Sequence, residues 1–170
     1  EINRTGGAVY LEASALGNCD NITFSNSHFE NNTAGTNGGA IDWHKGATNG
    51  RIINSSFENN SALANGGAVF WYGNNGTIAG SNFTNNRALG EAPGTYGDSG
   101  QGGAVIWTGS NGLVDDSIFE NNSAANNGGA VYLRKLNGDE CNNTTFANSK
   151  FYNNTAVNEG GAIDWNEGDL

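Results

Sequence analysis

FENNTAGTNGGAI, the stretch from Phe29 to Ile41, decides the fold. Closely similar phrases begin later in the chain at Phe57, Phe119 and Phe151, a stretched copy begins at Phe83, and a lone GGAV occupies Gly6–Val9. Self-similarity at a period of about 20–50 residues is typical of a solenoid or another repeat array. The sequence therefore predicts a stack of similar structural units.

Apolar residues follow a period of two on both sides of this phrase. Each Phe is preceded, two positions earlier, by a Ser, and each Gly-Gly-Ala is followed by Ile or Val and then, two positions later, by Trp or Leu. Side chains two positions apart lie on one face of a strand. Asn-Gly pairs between these segments are typical of tight turns. We therefore expect two or three short strands, separated by turns, in each coil.

Stacked coils place equivalent residues next to one another. One coil cannot bury its apolar face alone, whereas stacking brings like residues to about 4.8 Å from each other. The sequence therefore predicts structural ladders, which comprise a Phe ladder (Phe29, Phe57, Phe83, Phe119, Phe151), a Ser ladder (Ser27, Ser55, Ser81, Ser117, Ser149) and a Trp ladder (Trp43, Trp71, Trp107, Trp165).

The predicted fold class is an all-β parallel β-helix of about five to six coils, each of about 26–36 residues. We expect one β-helix segment over residues 1–170. A longer period of 122 residues relates Gly6–Ala34 to Gly128–Ala156. This period predicts a superunit over residues 6–127, with the next beginning at 128, and hence a piece of a longer array.

Composition excludes several classes of partner. The chain has 27 Gly, one Pro, no Met and a formal net charge of −10. Nucleic acids and anionic membranes are recognised by basic surfaces, so we expect neither as a partner. No apolar stretch reaches the length of a membrane span. Direct insertion into a membrane is therefore not expected.

Cys19 and Cys141 occupy equivalent positions 122 residues apart. Four coils separate them by roughly 19 Å, whereas a disulfide requires Cα atoms within about 7 Å. We predict that they do not bond to each other. A free thiol and an intermolecular link both stay open.

The sequence offers no catalytic constellation, metal site or cofactor site. Glycoside hydrolysis needs two carboxylates on either side of one bond. Asp42 and Asp164 occupy equivalent slots four coils apart, and Asp115 and Asp116 point to opposite faces. We expect none of these carboxylates to be catalytic.

Glu30 and Glu58 follow Phe residues of neighbouring coils. They either share a cation or form an exposed row that aids solubility, and the sequence leaves both alternatives open.

The sequence predicts one loop and one stripe as contact surfaces. The segment between Ala88 and Gly102 lengthens an otherwise regular connection, and loops added to a rigid scaffold often carry recognition. A stripe of apolar residues in the slot predicted to face outward indicates either a contact or cover by a side loop. The candidate binding residues are Glu91, Pro93, Tyr96 and Asp98 in the loop, and Phe70 and Ile106 in the stripe.

Asn-x-Ser/Thr sequons occur throughout the chain. Those that belong to the repeat also fit turn or ladder positions, whereas three lie in turns or variable loops. The glycosylation candidates are therefore Asn21, Asn75 and Asn142.

The pairing of GGAV or GGAI with FENN, FTNN or FYNN resembles the repeats of the polymorphic outer-membrane protein family of chlamydiae. It is also similar to adhesin-like surface proteins of methanogenic archaea. The resemblance covers essentially the whole chain. It implies an extracellular, right-handed parallel β-helix used in adhesion, and it implies no catalytic residues.

Two functions from different classes follow. The first is a non-enzymatic adhesin, stalk or fibre module at the cell surface, with no cofactor. Its expected partners are other copies or the remainder of its own chain at open coil ends, and glycans or proteins of a host or neighbouring cell. The alternative is a carbohydrate-active β-helix enzyme, either a polysaccharide lyase or a hydrolase, which rests on analogy with other β-helices.

Overall fold

The computed structural model describes residues 5–14, 17–45, 48–91, 99–135 and 141–166, and each regular element in these ranges is a β-strand. In chain order the strands are β1 (Val9–Glu12), β2 (Thr23–Ser25), β3 (His28–Glu30), β4 (Thr33–Ala34), β5 (Ile41–Lys45), β6 (Arg51–Ile53), β7 (Ser56–Glu58), β8 (Ser61–Ala62), β9 (Val69–Trp71), β10 (Thr77–Ala79), β11 (Asn82–Thr84), β12 (Arg87–Ala88), β13 (Val105–Trp107), β14 (Leu113–Asp115), β15 (Ile118–Glu120), β16 (Ser123–Ala124), β17 (Val131–Arg134), β18 (Thr145–Ala147), β19 (Lys150–Tyr152), β20 (Thr155–Ala156) and β21 (Ile163–Asn166).

These strands form four parallel sheets. Every fourth strand pairs in sequence order, so that the first sheet runs β1-β5-β9-β13-β17-β21 and three five-stranded sheets contain the remaining strands. The register joins equivalent residues, as in the pairing of Phe57 with Phe83 and of Phe83 with Phe119. The predicted parallel β-solenoid is confirmed.

Each coil contains four strands rather than the predicted two or three. The fourth is a two-residue strand, such as Ser61–Ala62, which pairs with the Arg87–Ala88 strand of the next coil. Two residues cannot display an alternating pattern, so no periodic signal predicts this strand.

The predicted count of five to six coils is slightly too high when it is measured in turns. In three of the four sheets, five strands are separated by four coil-to-coil steps, so the stack rises through about four turns. The sequence count took each of the six Gly-Gly pairs as the start of a coil, and the last pair, at Gly160, is followed by only one described strand, β21.

Residues with positive φ form the corners of each coil. In one coil they are Gly38, Asn49, Asn54 and Asn59, with φ of 62°, 58°, 48° and 55°. This left-handed region is accessible to Gly and, among residues with a side chain, is most readily adopted by Asn and Asp. The first Asn of each Asn-Asn pair therefore turns the chain after the Phe strand.

The second Gly of each pair allows two coils to approach closely. A Cβ atom on Gly67 would lie 2.0 Å from the carbonyl oxygen of Gly103 and 2.5 Å from the backbone nitrogen of Arg87. Both obstacles are backbone atoms, so a side chain at this position requires the coils to move apart.

The interior consists of columns of stacked side chains. The ring centroids of Phe57 and Phe83 are 4.7 Å apart with an interplanar angle of 2°, and the indoles of Trp71 and Trp107 have the same separation and angle. The predicted Phe and Trp ladders are thus confirmed through the buried coils. At the end of the stack, Trp165 pairs in register with Leu133 and is 42% exposed.

The Ser ladder is also confirmed, and its hydroxyl groups link neighbouring coils. The backbone N–H of Ser55 donates to Oγ of Ser81, at 3.1 Å, and the same bond joins Ser81 to Ser117. Each hydroxyl also donates to the carbonyl two residues earlier, as Ser81 does to Ala79 at 3.0 Å. Ser55, Ser81 and Ser117 are buried, whereas Ser27 and Ser149, in the end coils, are half-buried.

A buried Asn ladder, which the sequence analysis did not identify, runs beside the Phe column. It comprises the second Asn of each Asn-Asn pair: Asn32, Asn60, Asn86, Asn122 and Asn154. Nδ2 of Asn86 donates to Oδ1 of Asn122 and to the carbonyl of Phe57, both at 3.0 Å, and Oδ1 of Asn86 accepts from the backbone N–H and Nδ2 of Asn60. All four hydrogen-bonding positions of this amide are satisfied.

Candidate functional site

The outer face of the first sheet is not the exposed surface that the sequence predicted. Phe70 and Ile106 are 4% and 0% exposed and form a second apolar cluster with Tyr132, against which Tyr72 packs. These residues do point away from the main core. However, they are covered, which contradicts an exposed surface at Phe70 and Ile106 and agrees with the alternative that the stripe is covered.

Asp42 lies in the same outer slot, paired in register with Tyr10 on one side and Phe70 on the other. Its side chain is fully buried, and neither carboxylate oxygen has a hydrogen-bond partner in the described part of the chain. Burial, and secondarily the charge of Glu12, raises the pKa of Asp42 to about 8. The carboxyl group is therefore largely protonated at neutral pH.

A protonated carboxyl group near a carboxylate is the pairing used in glycoside hydrolysis. Asp42, however, is fully buried, so a substrate cannot reach it. Asp164 lies on β21, four strands from Asp42 in the first sheet. Burial, and secondarily Glu159, raises the pKa of Asp164. The two aspartates are thus held apart by the fold.

Asp115 and Asp116, the other acidic candidates, also have different positions in the coil. Asp115 accepts a hydrogen bond from Nδ2 of Asn148 at 2.9 Å, whereas Asp116 occupies a corner with φ of 45°. The described residues bring none of the predicted acidic candidates into a catalytic pair.

Glu30 and Glu58 are neighbours, as predicted, because β3 and β7 pair in register. Nε2 of His28 lies 3.2 Å from one carboxylate oxygen of Glu30, and Nδ2 of Asn31 donates to the other at 3.2 Å. Within the described ranges no group of three or more His, Cys, Asp and Glu side chains is suited to hold a metal ion. A shared cation at Glu30 and Glu58 stays a prediction.

The two ends of the predicted contact loop meet at the edge of the solenoid. Oγ of Ser99 donates to the carbonyl of Gly90 at 3.3 Å, and the N–H of Gly100 donates to the carbonyl of Ala64 at 2.9 Å. Glu91, at the start of the loop, is exposed. The other candidates in the loop, Pro93, Tyr96 and Asp98, lie outside the described residues.

A polar cleft of about 680 Å³ opens beside the base of this loop. We call it the amide cleft, since most of its polar side chains are Gln101, Asn126, Asn127, Asn158 and Asn166, with Glu159 beside them. Nδ2 of Asn126 donates to the carbonyl of Ser99 at 3.3 Å, which connects the cleft to the base of the loop. The sequence analysis did not identify this cleft, because its residues come from separate coils.

Two of the three glycosylation candidates are exposed corner residues. Asn21 and Asn75 belong to a ladder of exposed amides in which Nδ2 of Asn75 donates to Oδ1 of Asn49 at 3.2 Å, and Nδ2 of Asn49 donates to Oδ1 of Asn21 at 3.1 Å. Asn142 is half-buried. Nδ2 of Asn75, the atom to which a glycan would be attached, thus uses one of its two hydrogens in the ladder.

Neither Cys19 nor Cys141 forms a disulfide, which confirms that they do not bond to each other. Their backbone carbonyls have equivalent roles, since each accepts a hydrogen bond from an indole N–H. The donors are Trp43 for Cys19, at 3.4 Å, and Trp165 for Cys141, at 3.1 Å.

The in-register sheets, the four corners of each coil and the stacked columns define a parallel β-solenoid repeat protein. Four segments of the chain, residues 26–42, 54–70, 116–134 and 148–164, match the model of the Chlamydia polymorphic membrane protein repeat. Each match begins at a corner and ends in a strand of the first sheet. The predicted resemblance to the chlamydial family is confirmed, and that to archaeal adhesins stays a prediction.

No curated protein and no solved structure matches the chain. No helix that is long and apolar enough to cross a membrane occurs among the described residues. The repeats and the solenoid together fit a surface-associated, adhesin-like protein.

Proposed function

We propose that the chain is a non-enzymatic, extracellular module of an adhesin, stalk or fibre, in which a stiff solenoid presents loops to a cell surface. The observation that carries the proposal is the continuous register of the Phe, Ser and Asn columns in repeats of a membrane-protein family. Each coil is hydrogen-bonded to its neighbours along all four sheets. Such a stack resists bending and holds its loops at fixed spacing.

The loop between Ala88 and Gly102 is the proposed contact with a partner, through Glu91, Pro93, Tyr96 and Asp98. Its closed base on a rigid coil supports this role, because a loop anchored at both ends loses less conformational entropy on binding. The acidic chain, with a formal net charge of −10, favours neutral or basic partners such as cell-surface glycans and proteins over nucleic acids.

The proposal extends to the context of the chain. Unpaired strand edges at the ends of a stack bind further coils, so we expect the module to continue into further coils of its own chain or to stack on other copies. The period of 122 residues supports a longer array. In an extracellular protein, Asn21, Asn75 and Asn142 are the proposed glycan carriers.

Adhesion of coated beads tests the proposal. Beads carrying the protein should bind cultured cells, and Tyr96→Ala should reduce binding, whereas Asn26→Gly, at an exposed corner two coils before the loop, should not. Beads that bind no better than uncoated beads would contradict the adhesin function. Depolymerisation of a polysaccharide panel by the same protein would instead establish the enzymatic alternative.

A further inference from the structure

We propose that Ser56 is an activated nucleophile that accepts an acyl group from a neutral ester, with His28 as its general base and Glu30 as the residue that positions the imidazole. These side chains lie on the outer face of the neighbouring strands β3 and β7. The inference goes beyond the proposed adhesin function, because it assigns a single acyl transfer to the surface of the solenoid and requires no turnover.

Register and alternation bring the serine, the histidine and the acid together. His28 pairs with Ser56 across β3 and β7, and Glu30 follows His28 by two residues on the same face. Nδ1 of His28 lies 2.5 Å from Oγ of Ser56, and Nε2 lies 3.2 Å from a carboxylate oxygen of Glu30. A carboxylate only accepts hydrogen bonds, so in the neutral ring Nε2 donates to Glu30 and Nδ1 accepts from the Ser56 hydroxyl. A serine, a histidine and an acid linked in this order activate the serine in acyl-transfer sites.

The linked groups are accessible, and the acid is held in place. The side chains of His28 and Glu30 are 55% and 47% exposed, and Ser56 is half-buried. Nδ2 of Asn31 donates to the second carboxylate oxygen of Glu30 at 3.2 Å. Ser55, the preceding residue, belongs to the buried Ser ladder, whereas Ser56 faces outward. The hydroxyl of Ser56 is therefore available to an incoming ester.

The proposed reaction is one balanced acyl transfer. Oγ of Ser56 attacks the carbonyl carbon of the ester while Nδ1 of His28 takes the hydroxyl proton. The bond from Oγ to the carbonyl carbon forms, the bond from that carbon to the alcohol oxygen breaks, and the imidazole gives the proton to the departing alcohol. Asn82, an exposed residue that pairs in register with Ser56 on the other side, offers an amide donor to the carbonyl oxygen as it becomes negative.

Charge and surface shape define the class of ester. Glu58 follows Ser56 by two residues and pairs in register with Glu30, so carboxylates lie on two neighbouring strands beside the serine. They disfavour an anionic ester. The outer face of these strands is open, so it suits a short acyl group that protrudes from a larger molecule. General-base catalysis contributes about 10²–10⁴-fold, and we expect about 100-fold, the lower end of this range, at an exposed site.

Labelling with a fluorophosphonate–biotin probe tests the inference, because this neutral reagent phosphonylates an activated serine and releases fluoride. Peptide mass spectrometry of the labelled protein compares Ser56 with Ser25, an exposed serine on β2 of the same chain. We expect Ser56 to react about 100-fold faster than Ser25, and 4-nitrophenyl acetate to acetylate Ser56 in preference to Ser25. Equal rates at the two serines would overturn the proposal.

Matched variants assign the roles of the neighbouring side chains. His28→Gln should reduce the labelling of Ser56 to the rate of Ser25, whereas Lys150→Gln, an exposed change on β19 of the same sheet, should leave it unchanged. Full labelling of Ser56 in folded His28→Gln would contradict the general base. Asn82→Ala should slow the labelling about tenfold, the cost of one lost hydrogen bond, and an unchanged rate would reject Asn82 as the donor.

Glu30 acts through the histidine, so its test includes a spectroscopic signature. Nitrogen NMR of the His28 ring should show the hydrogen on Nε2, because the carboxylate of Glu30 accepts it. Glu30→Gln should give a mixture of both tautomers and slow the labelling of Ser56 about tenfold. An unchanged tautomer or an unchanged labelling rate in this variant would contradict the positioning role of Glu30.

Discussion

The buried Asn ladder should be a main determinant of stability, and Asn86→Ala tests it. The substitution deletes the two hydrogen bonds that Nδ2 donates, to Phe57 and Asn122, and the two that Oδ1 accepts from Asn60. Asn86 is fully buried. The backbone N–H of Asn60 and the carbonyl of Phe57 therefore lose these partners in the interior of the solenoid.

The magnitude follows from the groups left unpaired. Each buried polar group without a partner costs about 1–3 kcal/mol. Two backbone groups, together with one hydrogen of the Asn60 amide, give a loss of about 4 kcal/mol in the free energy of unfolding. For a chain of this length, 1 kcal/mol corresponds to about 2–4 °C in melting temperature. Asn86→Ala should therefore lower the melting temperature by about 8–16 °C.

Urea and thermal unfolding, followed by circular dichroism, measure this loss. The matched control is Asn85→Gly, because Asn85 is the adjacent residue, is exposed and has φ of 57°, which Gly adopts without strain. The control should change the free energy of unfolding by less than about 0.5 kcal/mol. A loss below about 1 kcal/mol for Asn86→Ala, or equal losses for both variants, would refute the reasoning.

Two further predictions concern a buried acid and the glycine pairs. The folded-state pKa of Asp42, about 8, lies above its unfolded value, so the unfolded chain loses this proton first and the free energy of unfolding falls as the pH rises from about 4 to about 8. Asp42→Asn should reduce this slope in urea unfolding at a series of pH values, and an identical slope would contradict the assignment. Gly67→Ala should abolish cooperative thermal unfolding, because its Cβ meets backbone at 2.0 Å. Gly80→Asn should cost less than about 1 kcal/mol, because Gly80 has φ of 58° and its nearest obstacle is the end of the Asn54 side chain; equal tolerance of both substitutions would refute the close approach of the coils.

The columns could be predicted from the sequence because the same residue types recur at the same positions of each repeat. Phe83 identifies its neighbours in adjacent coils by its fixed distance from Ser81 and from the Asn-Asn pair, although the loop after Ala88 lengthens its distance from the next Gly-Gly pair. Alternation also placed Ser81 and Phe83 correctly in the interior. A parallel stack with in-register coils is the only arrangement that brings all of these residues into columns at once.

The sequence pattern did not distinguish the roles of the two consecutive asparagines. Both are invariant in the motif, yet Asn85 turns the chain at a positive φ while Asn86 is buried and hydrogen-bonded on four sides. The pattern shows that an Asn recurs, but a corner and an internal ladder both favour Asn. Only the position of the corner distinguishes the two roles.

The candidate site was harder to predict, because alternation gives the side of a strand and not what covers it. Phe70 and Ile106 point away from the main core, as expected, but they are buried in a second cluster. The amide cleft combines Gln101, Asn127 and Asn158 from successive coils. Their proximity depends on loop lengths that differ between coils, so spacing alone does not reveal it.

The central claim is that equivalent residues of successive coils lie side by side, and paired spin labels test it most directly. In a background with both cysteines replaced by serine, labels at the outward positions Thr84 and Glu120 should show strong exchange broadening, because these residues pair in register on strands about 4.8 Å apart. Labels at Glu30 and Glu120, three coils apart, should show none. Absence of coupling between positions 84 and 120 in the folded protein would contradict the solenoid.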